Sequence, residues 1–317
     1  MGWDDEPVSR IFLAVVATFA VIVMAVVVWQ WTRSDGPYGK THEGDAIPES
    51  VLKKATTTVY CNGQQMDIYR PAKRGGPAPA VLYAHPGGWA VGDKTGGSYA
   101  DQLVPALTER GFVVASINYR LGRANPWPAQ IRDAACAVRF LRAHHTRYGI
   151  DPRRIGAWGG SAGAQLMSLV GTMDRAAGFD VGPYLDQSSR LQAVVDMYGP
   201  VDMPAFVSRT TWSRDVQSIF RPIRRKDPNG LGNASPIHWV TKDDPPFLIL
   251  QGDRDTVVRP VDSATFARRL EGAGVPAKLV MVQGGGHGLS DKGQHPSRND
   301  LIGLTIRFFQ QHLMPAR

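Results

Sequence analysis

Ile155-Gly156-Ala157-Trp158-Gly159-Gly160-Ser161-Ala162-Gly163 is the stretch on which the reading of this chain turns. Residues 155–158 are apolar and extended in character, while 162–170 are mostly helix formers, so a strand runs into a helix across Gly159-Gly160-Ser161. The bare pattern G-x-S-x-G occurs by chance in many chains. Between a strand and a helix it describes a tight turn that holds a serine hydroxyl out at a helix N-terminus, with Gly159 and Gly163 leaving room for the backbone to double back. The same serine would also serve as an ordinary N-cap, and the turn alone leaves both roles open.

Outward from this turn, short β-rich runs alternate with helix-length segments. Residues 57–61, 66–69, 80–84, 113–117, 155–158, 193–197, 247–250 and 278–282 read as strands, and 129–148, 262–271 and 299–312 as helices. Asn62-Gly63 between the first two strands is a hairpin signal, so the sheet opens antiparallel. The later apolar strands separated by helices are the pattern of parallel βαβ units. The expected fold is therefore a three-layer α/β domain over residues 55–317, with a mostly parallel eight-stranded sheet flanked by helices. Residues 203–238 follow neither period and suit a cap over the site.

The composition of the 317 residues, 43% hydrophobic and 20% charged, is ordinary for a globular enzyme. A net charge of +8 raises nucleic acid as a partner. No basic run is interleaved with stacking aromatics, so no nucleic-acid partner is expected. The densest basic stretch, Arg221 to Lys226, reads as an exposed loop or part of the cap. Cys61 and Cys136 are the only cysteines, which excludes a disulfide framework and a cysteine-based zinc site. A single bridge would require an oxidising compartment. Cys136 falls in a helical pattern and is favoured as a small buried residue.

Residues 11–31 form an uncharged run without Gly or Pro that would span roughly 31 Å as a helix, about the thickness of a bilayer core. Trp29 and Trp31 suit a membrane interface. A cleaved signal peptide is the rival, but its basic leading region is replaced by Asp4, Asp5 and Glu6. The expectation is a short tail (1–10), a single-pass anchor (11–31) and a Gly/Pro-containing linker (32–54). Arg10 and the amino terminus on one side balance Arg33 and Lys40 on the other, so orientation rests on a slight preference for an extracytoplasmic domain.

Three further stretches carry chemistry. His85-Pro86-Gly87-Gly88-Trp89 follows the strand at 80–84, Gln251-Gly252-Asp253-Arg254-Asp255-Thr256-Val257-Val258 follows the strand at 247–250, and Gly284-Gly285-Gly286-His287-Gly288 follows the last strand. A serine hydroxyl is a weak nucleophile until a base removes its proton and a carboxylate orients that base. Asp255 and His287 stand in that order after Ser161. Asp253 competes as the acid but fits better as a turn cap. His295 is a lesser candidate for the base, and most of the eight histidines, His144 and His145 included, read as surface or structural.

With these motifs the chain resembles the hormone-sensitive-lipase-like and feruloyl-esterase-like branches of the α/β-hydrolases. The likeness extends through Gly92-Asp93-Lys94, Asn118-Tyr119-Arg120-Leu121, Tyr148-Gly149-Ile150-Asp151-Pro152 and Ala234-Ser235-Pro236-Ile237. It implies Ser161 as nucleophile, His287 as base and Asp255 as acid, with no metal or organic cofactor. It further implies an oxyanion hole from the backbone N–H groups of Gly87, Gly88 and Ala162, and His85 and Trp89 at the substrate. Pro86, Gln251 and Ala164 depart from the family pattern, and Pro86 has no N–H to donate.

The implied reaction is hydrolysis of a small-molecule carboxylic ester, with short-chain or acetyl esters expected from the family. Prolyl-oligopeptidase-type peptidases share the fold and the order of the three residues. They carry a propeller ahead of the catalytic domain and lack a His-Gly-Gly loop. A hydrolase fold kept only for binding would have lost one of the three.

Overall fold

The computed structural model describes residues 46–72, 76–209, 214–226 and 230–315. Eight strands form one sheet: β1 (Thr56–Val59), β2 (Gln65–Tyr69), β3 (Ala78–Ala84), β4 (Val113–Ile117), β5 (Ile150–Gly160), β6 (Val194–Met197), β7 (Phe247–Gly252) and β8 (Ala277–Val282). The longer helices are α1 (Ala100–Glu109), α2 (Ala129–Ala143), α3 (Ala162–Thr172), α4 (Met203–Arg209), α5 (Arg214–Lys226), α6 (Pro260–Gly272) and α7 (Arg298–Leu313).

The strand order is β1-β2-β4-β3-β5-β6-β7-β8. β2 pairs antiparallel with β1 and β4, and every later pairing is parallel. β4, β6 and β7 are buried along their whole length, which is why they read as mostly apolar runs rather than alternating ones. From β3 the chain builds first to one side, through β4, and then to the other, through β5. In such sheets the crevice beyond the carboxyl ends at this reversal is where ligand sites form. The register brings those ends level, with Ala84 opposite Gly159, Gly160 opposite Met197 and Gly252 opposite Val282.

On one face Tyr83, Trp158, Val195 and Leu248 pack with Leu103 and Leu107 of α1 and Ile306 and Phe309 of α7. Phe309 is fully buried there, and truncating it to alanine would leave a void costing about 3–5 kcal/mol. On the other face Phe247 meets Phe266 of α6 at 5.4 Å, and a Cβ on Gly171 of α3 would come within 3.2 Å of the Phe247 ring.

Several boundaries differ from the sequence reading. The helix expected over 129–148 ends at Ala143 and is followed by a separate turn, His145–Tyr148. His144 leaves helical geometry, and the rings of His144 and His145 bond the carbonyls of Phe140 and Arg142 that the ending helix exposes. β5 starts at Ile150, ahead of residue 155, and runs through Pro152 with a register irregularity against β3. α1 is an additional helix. Residues 203–238 contain several short helices, including a turn at Gly230–Asn233 and a 3-10 turn at Pro236–Trp239.

Cys136, favoured by its helical pattern as an isolated buried residue, is instead disulfide-bonded to Cys61, 75 residues away. The bond ties the turn after β1 to α2. The expected membrane span at 11–31 lies outside the described residues, among which no helix is long and apolar enough to cross a membrane.

Candidate active site

Ser161 joins β5 to α3 at φ 51° and ψ −118°, a conformation that costs a non-glycine residue about 1–3 kcal/mol. Sterics around it enforce the turn. A Cβ on Gly159 would lie 2.4 Å from the Gly163 carbonyl carbon, and one on Gly163 would lie 2.1 Å from the Ala84 oxygen. The Ser161 N–H donates to the Met197 carbonyl at 2.9 Å, anchoring the turn to the neighbouring strand. Ala162 opens α3, so its N–H has no acceptor within the helix.

The loops after β7 and β8 bring the two partners in. His287 Nε2 lies 3.0 Å from Ser161 Oγ, and His287 Nδ1 lies 2.9 Å from Asp255 Oδ2. The carboxylate at Nδ1 assigns the proton to that nitrogen, leaving Nε2 to accept from the serine hydroxyl. The Asp255 side chain is fully buried, and that of His287 is 10% exposed. Asp255 Oδ1 accepts the N–H groups of Val257 at 2.8 Å and Val258 at 2.9 Å, while Oδ2 also accepts from Gln251 Nε2 at 2.9 Å.

The two loops are laced together. Asp253 accepts the Gly284 N–H at 2.7 Å, a bond to the neighbouring loop rather than within its own turn, and Arg254 N donates to Gly285 O at 2.9 Å. A Cβ on Gly252 would sit 2.2 Å from Gly285 O. His295 is placed elsewhere, exchanging backbone hydrogen bonds with Gln283 at 2.7 and 2.9 Å.

The loop after β3 turns at Gly87 (φ 124°) and Gly88 (φ 59°), where a Cβ on Gly87 would strike the Val91 oxygen at 2.1 Å. The close approach of Gly163 to Ala84 sets the start of this loop against the start of α3. Gly87, Gly88 and Ala162 thus belong to two adjoining turns at the sheet's carboxyl edge.

Comparison with known proteins places these features in a family. The profile of the family described as BD-FAE matches residues 66–270. The chain belongs to the BD-FAE family. A profile described as TAP-like protein also matches residues 228–317.

This BD-FAE chain is 33% identical over 217 residues to the probable carboxylic ester hydrolase LipM of Mycobacterium tuberculosis, covering 65% of this chain and 48% of that protein. It is 28% identical over 232 residues to a probable isoprenylcysteine alpha-carbonyl methylesterase of Arabidopsis thaliana, covering 70% of this chain and 48% of that protein. The chain spans about half the length of the curated relatives it matches. Among solved structures, a truncated carbohydrate esterase from gut microbiota aligns with a TM-score of 0.72 at 28% identity, over 85% of this chain and 100% of that one. The esterase Est2 of Thermogutta terrifontis shares the fold, with a TM-score of 0.70 at 24% identity over 85% of this chain and 98% of that one.

Two residues of the BD-FAE chain expected at the substrate are placed otherwise. His85 is 1% exposed, stacks on Tyr119 at 4.3 Å and bonds the Pro86 carbonyl through Nδ1 at 2.7 Å. Burial lowers its pKa to about 4, so the ring is neutral at pH 7. Trp89 is also 1% exposed, donates Nε1–H to Gln165 Oε1 at 3.0 Å and packs edge-on against Phe220 of α5 at 4.9 Å. Both side chains touch the protein itself and brace the loop. The family-like residues Lys94 and Arg120 act similarly, pairing with Asp67 at 2.9 Å and Asp133 at 2.8 Å.

Other residues at the site had no role in the sequence reading. Gln251, noticed only as a departure, is fully buried, and its Oε1 accepts from Ser263 Oγ at 2.8 Å, which aims its amide at Asp255. Tyr198 (φ 48°) sets its ring 4.9 Å from His287 at 70°, and its hydroxyl meets Ser98 Oγ at 2.9 Å. A Cβ on Gly160 would lie 1.8 Å from that serine oxygen, so the position before Ser161 admits only glycine. Nothing local in the sequence links Tyr198 to Ser98, 100 positions earlier.

Proposed function

We propose that this chain hydrolyses carboxylic esters through a covalent acyl-enzyme on Ser161. The observation that carries the reading is the continuous linkage from the Ser161 hydroxyl through His287 to the buried Asp255, at 3.0 and 2.9 Å, on a turn whose strain presents the hydroxyl. Family membership and the ester-hydrolase names of its relatives support it.

In this mechanism Ser161 Oγ attacks the ester carbonyl while its proton passes to His287 Nε2, and Asp255 stabilises the imidazolium. The carbonyl oxygen gains negative charge facing the N–H groups of Ala162, Gly87 and Gly88, each such donor contributing about 3 kcal/mol to the transition state. His287 returns the proton to the departing alcohol. Water, deprotonated by the same histidine, then releases the acid and regenerates the serine. Treatment with a fluorophosphonate should add a single adduct to the intact mass, mapping to Ser161. An unmodified chain would overturn the assignment.

The substrate class favoured is short acyl or acetyl esters, carbohydrate esters among them. This finer reading draws on a structural neighbour described as a carbohydrate esterase. In a nitrophenyl ester series, kcat/KM should be highest for acetate and butyrate, and a rise toward long acyl chains would contradict it.

The chain is further proposed to be a single-pass membrane protein anchored by residues 11–31, with its catalytic domain on the extracytoplasmic side. The Cys61–Cys136 bond supports that side, since disulfides persist in oxidising compartments. Alkylation of the protein in intact cells should leave both thiols unmodified until a reductant is added.

A further inference from the structure

The amino ends of β3 and β4 and the first part of β5 lie at the edge of the sheet opposite the proposed catalytic loops. A cavity of about 420 Å³ opens there, within the range of small-molecule sites. Its wall carries four arginines, Arg70, Arg110, Arg147 and Arg154, and no Asp or Glu side chain among the described residues.

Arg154 is fixed. Its Nε bonds Asp151 at 2.9 Å, and its terminal nitrogens bond the carbonyls of Leu313 at 3.2 Å and Pro77 at 3.1 Å. The other three keep donors to spare. Arg110 gives one N–H to Ala106 O at 2.9 Å, Arg147 lies 5.5 Å over the Tyr148 ring, and none of the three takes part in an ion pair among the described residues. Tyr148, which borders the cavity, is 3% exposed, and its buried hydroxyl has no hydrogen-bond partner among the described residues. Val113 and Met314 add apolar surface.

Like charges gathered around a concavity, with no carboxylate lining it, are relieved by an anion that enters. Guanidinium forks match the oxygens of phosphate in pairs. We propose that this cavity binds a phosphate-bearing group, either on a soluble compound or on a phospholipid headgroup. Arg154 lies within β5, seven residues before Ser161, roughly 23 Å away at strand rise, so the ligand does not compete with an ester at Ser161. The site does not depend on the hydrolase reading.

The test uses the full chain in dodecyl maltoside micelles, which carry no phosphate, titrated calorimetrically with inorganic phosphate and with glycerol 3-phosphate. Saturable binding is expected for at least one probe, weakened about tenfold in the Arg110→Gln/Arg147→Gln double variant. Both positions are exposed, and an unchanged melting temperature would show that the fold is kept. Repeating the titration in phosphatidylglycerol nanodiscs separates the two sources. Suppressed binding identifies the headgroup as occupant, and unaltered binding a soluble phosphate compound. Absence of saturable binding in the phosphate-free micelles, or equal affinity in the double variant, overturns the proposal.

Discussion

The serine turn and the acid–histidine loops sit side by side at the same edge of the sheet, yet they are held by different physics. At the turn, geometry is enforced by exclusion. Gly159, Gly160 and Gly163 each lie where one added carbon would collide with backbone or with a buried hydroxyl. Around Asp255 and His287, geometry is enforced by hydrogen bonds, from Val257, Val258 and Gln251 to the carboxylate and from Gly284 to Asp253. Exclusion admits almost no substitution, whereas a hydrogen-bonded network loses performance in steps.

Substitutions can break this contrast. The largest effect belongs to the group both regions serve: Ser161→Ala should lower kcat by about 10⁶-fold with the fold intact, and near-normal turnover would remove the serine from the mechanism. Next, Gly163→Ala pushes a methyl into the Ala84 carbonyl at 2.1 Å and should destabilise the domain by about 3 kcal/mol or more, in the range of overpacked sites. Denaturant unfolding would measure it, and a loss below about 1 kcal/mol would show that the turn yields after all.

A third effect depends on pH. Burial leaves His85 with a folded-state pKa near 4 against 6.5 unfolded. Between these values the unfolded chain binds the extra proton, so stability is retained above pH 6.5 and lost as pH falls toward 4, by about 3 kcal/mol in all. His85→Gln should start less stable at pH 7 but show a shallower fall on acidification, and parallel curves would exclude this origin. The smallest effect is on the hydrogen-bonded side. Gln251→Leu should reduce kcat about tenfold with little change in KM, the loss expected when one buried acceptor gives up a partner. A loss as large as that of Ser161→Ala would mean that the network is as intolerant as the turn.

Much of the fold was legible because buried parallel strands such as β4, β6 and β7 are mostly apolar along their length, while the antiparallel β1 and β2 were marked by the Asn62-Gly63 turn between them. Ser161, Asp255 and His287 were legible because each follows a strand, in a glycine-bearing loop or turn. What escaped notice had no local pattern. α1 carries Pro105, which reads as a breaker, and the start of β5 runs through Pro152 and Arg153. The Ser98–Tyr198 contact joins residues 100 positions apart, both at positive φ. His85 and Trp89 were found by their motif, but a motif does not say which way a side chain points. Here both rings turn inward, because the loop needs support that its glycines do not give.

The Cys61–Cys136 bond closes a covalent ring that contains the His85–Trp89 loop and β2 to β4, while Ser161, Asp255 and His287 lie outside it. A protease that cuts one peptide bond between the two cysteines leaves a single covalent molecule under non-reducing conditions. A cut in the helical segment between β6 and β7 instead leaves the C-terminal piece, with Asp255 and His287, attached only by packing. Limited digestion run with and without reductant would therefore sort cleavage sites by which side of the ring they fall on.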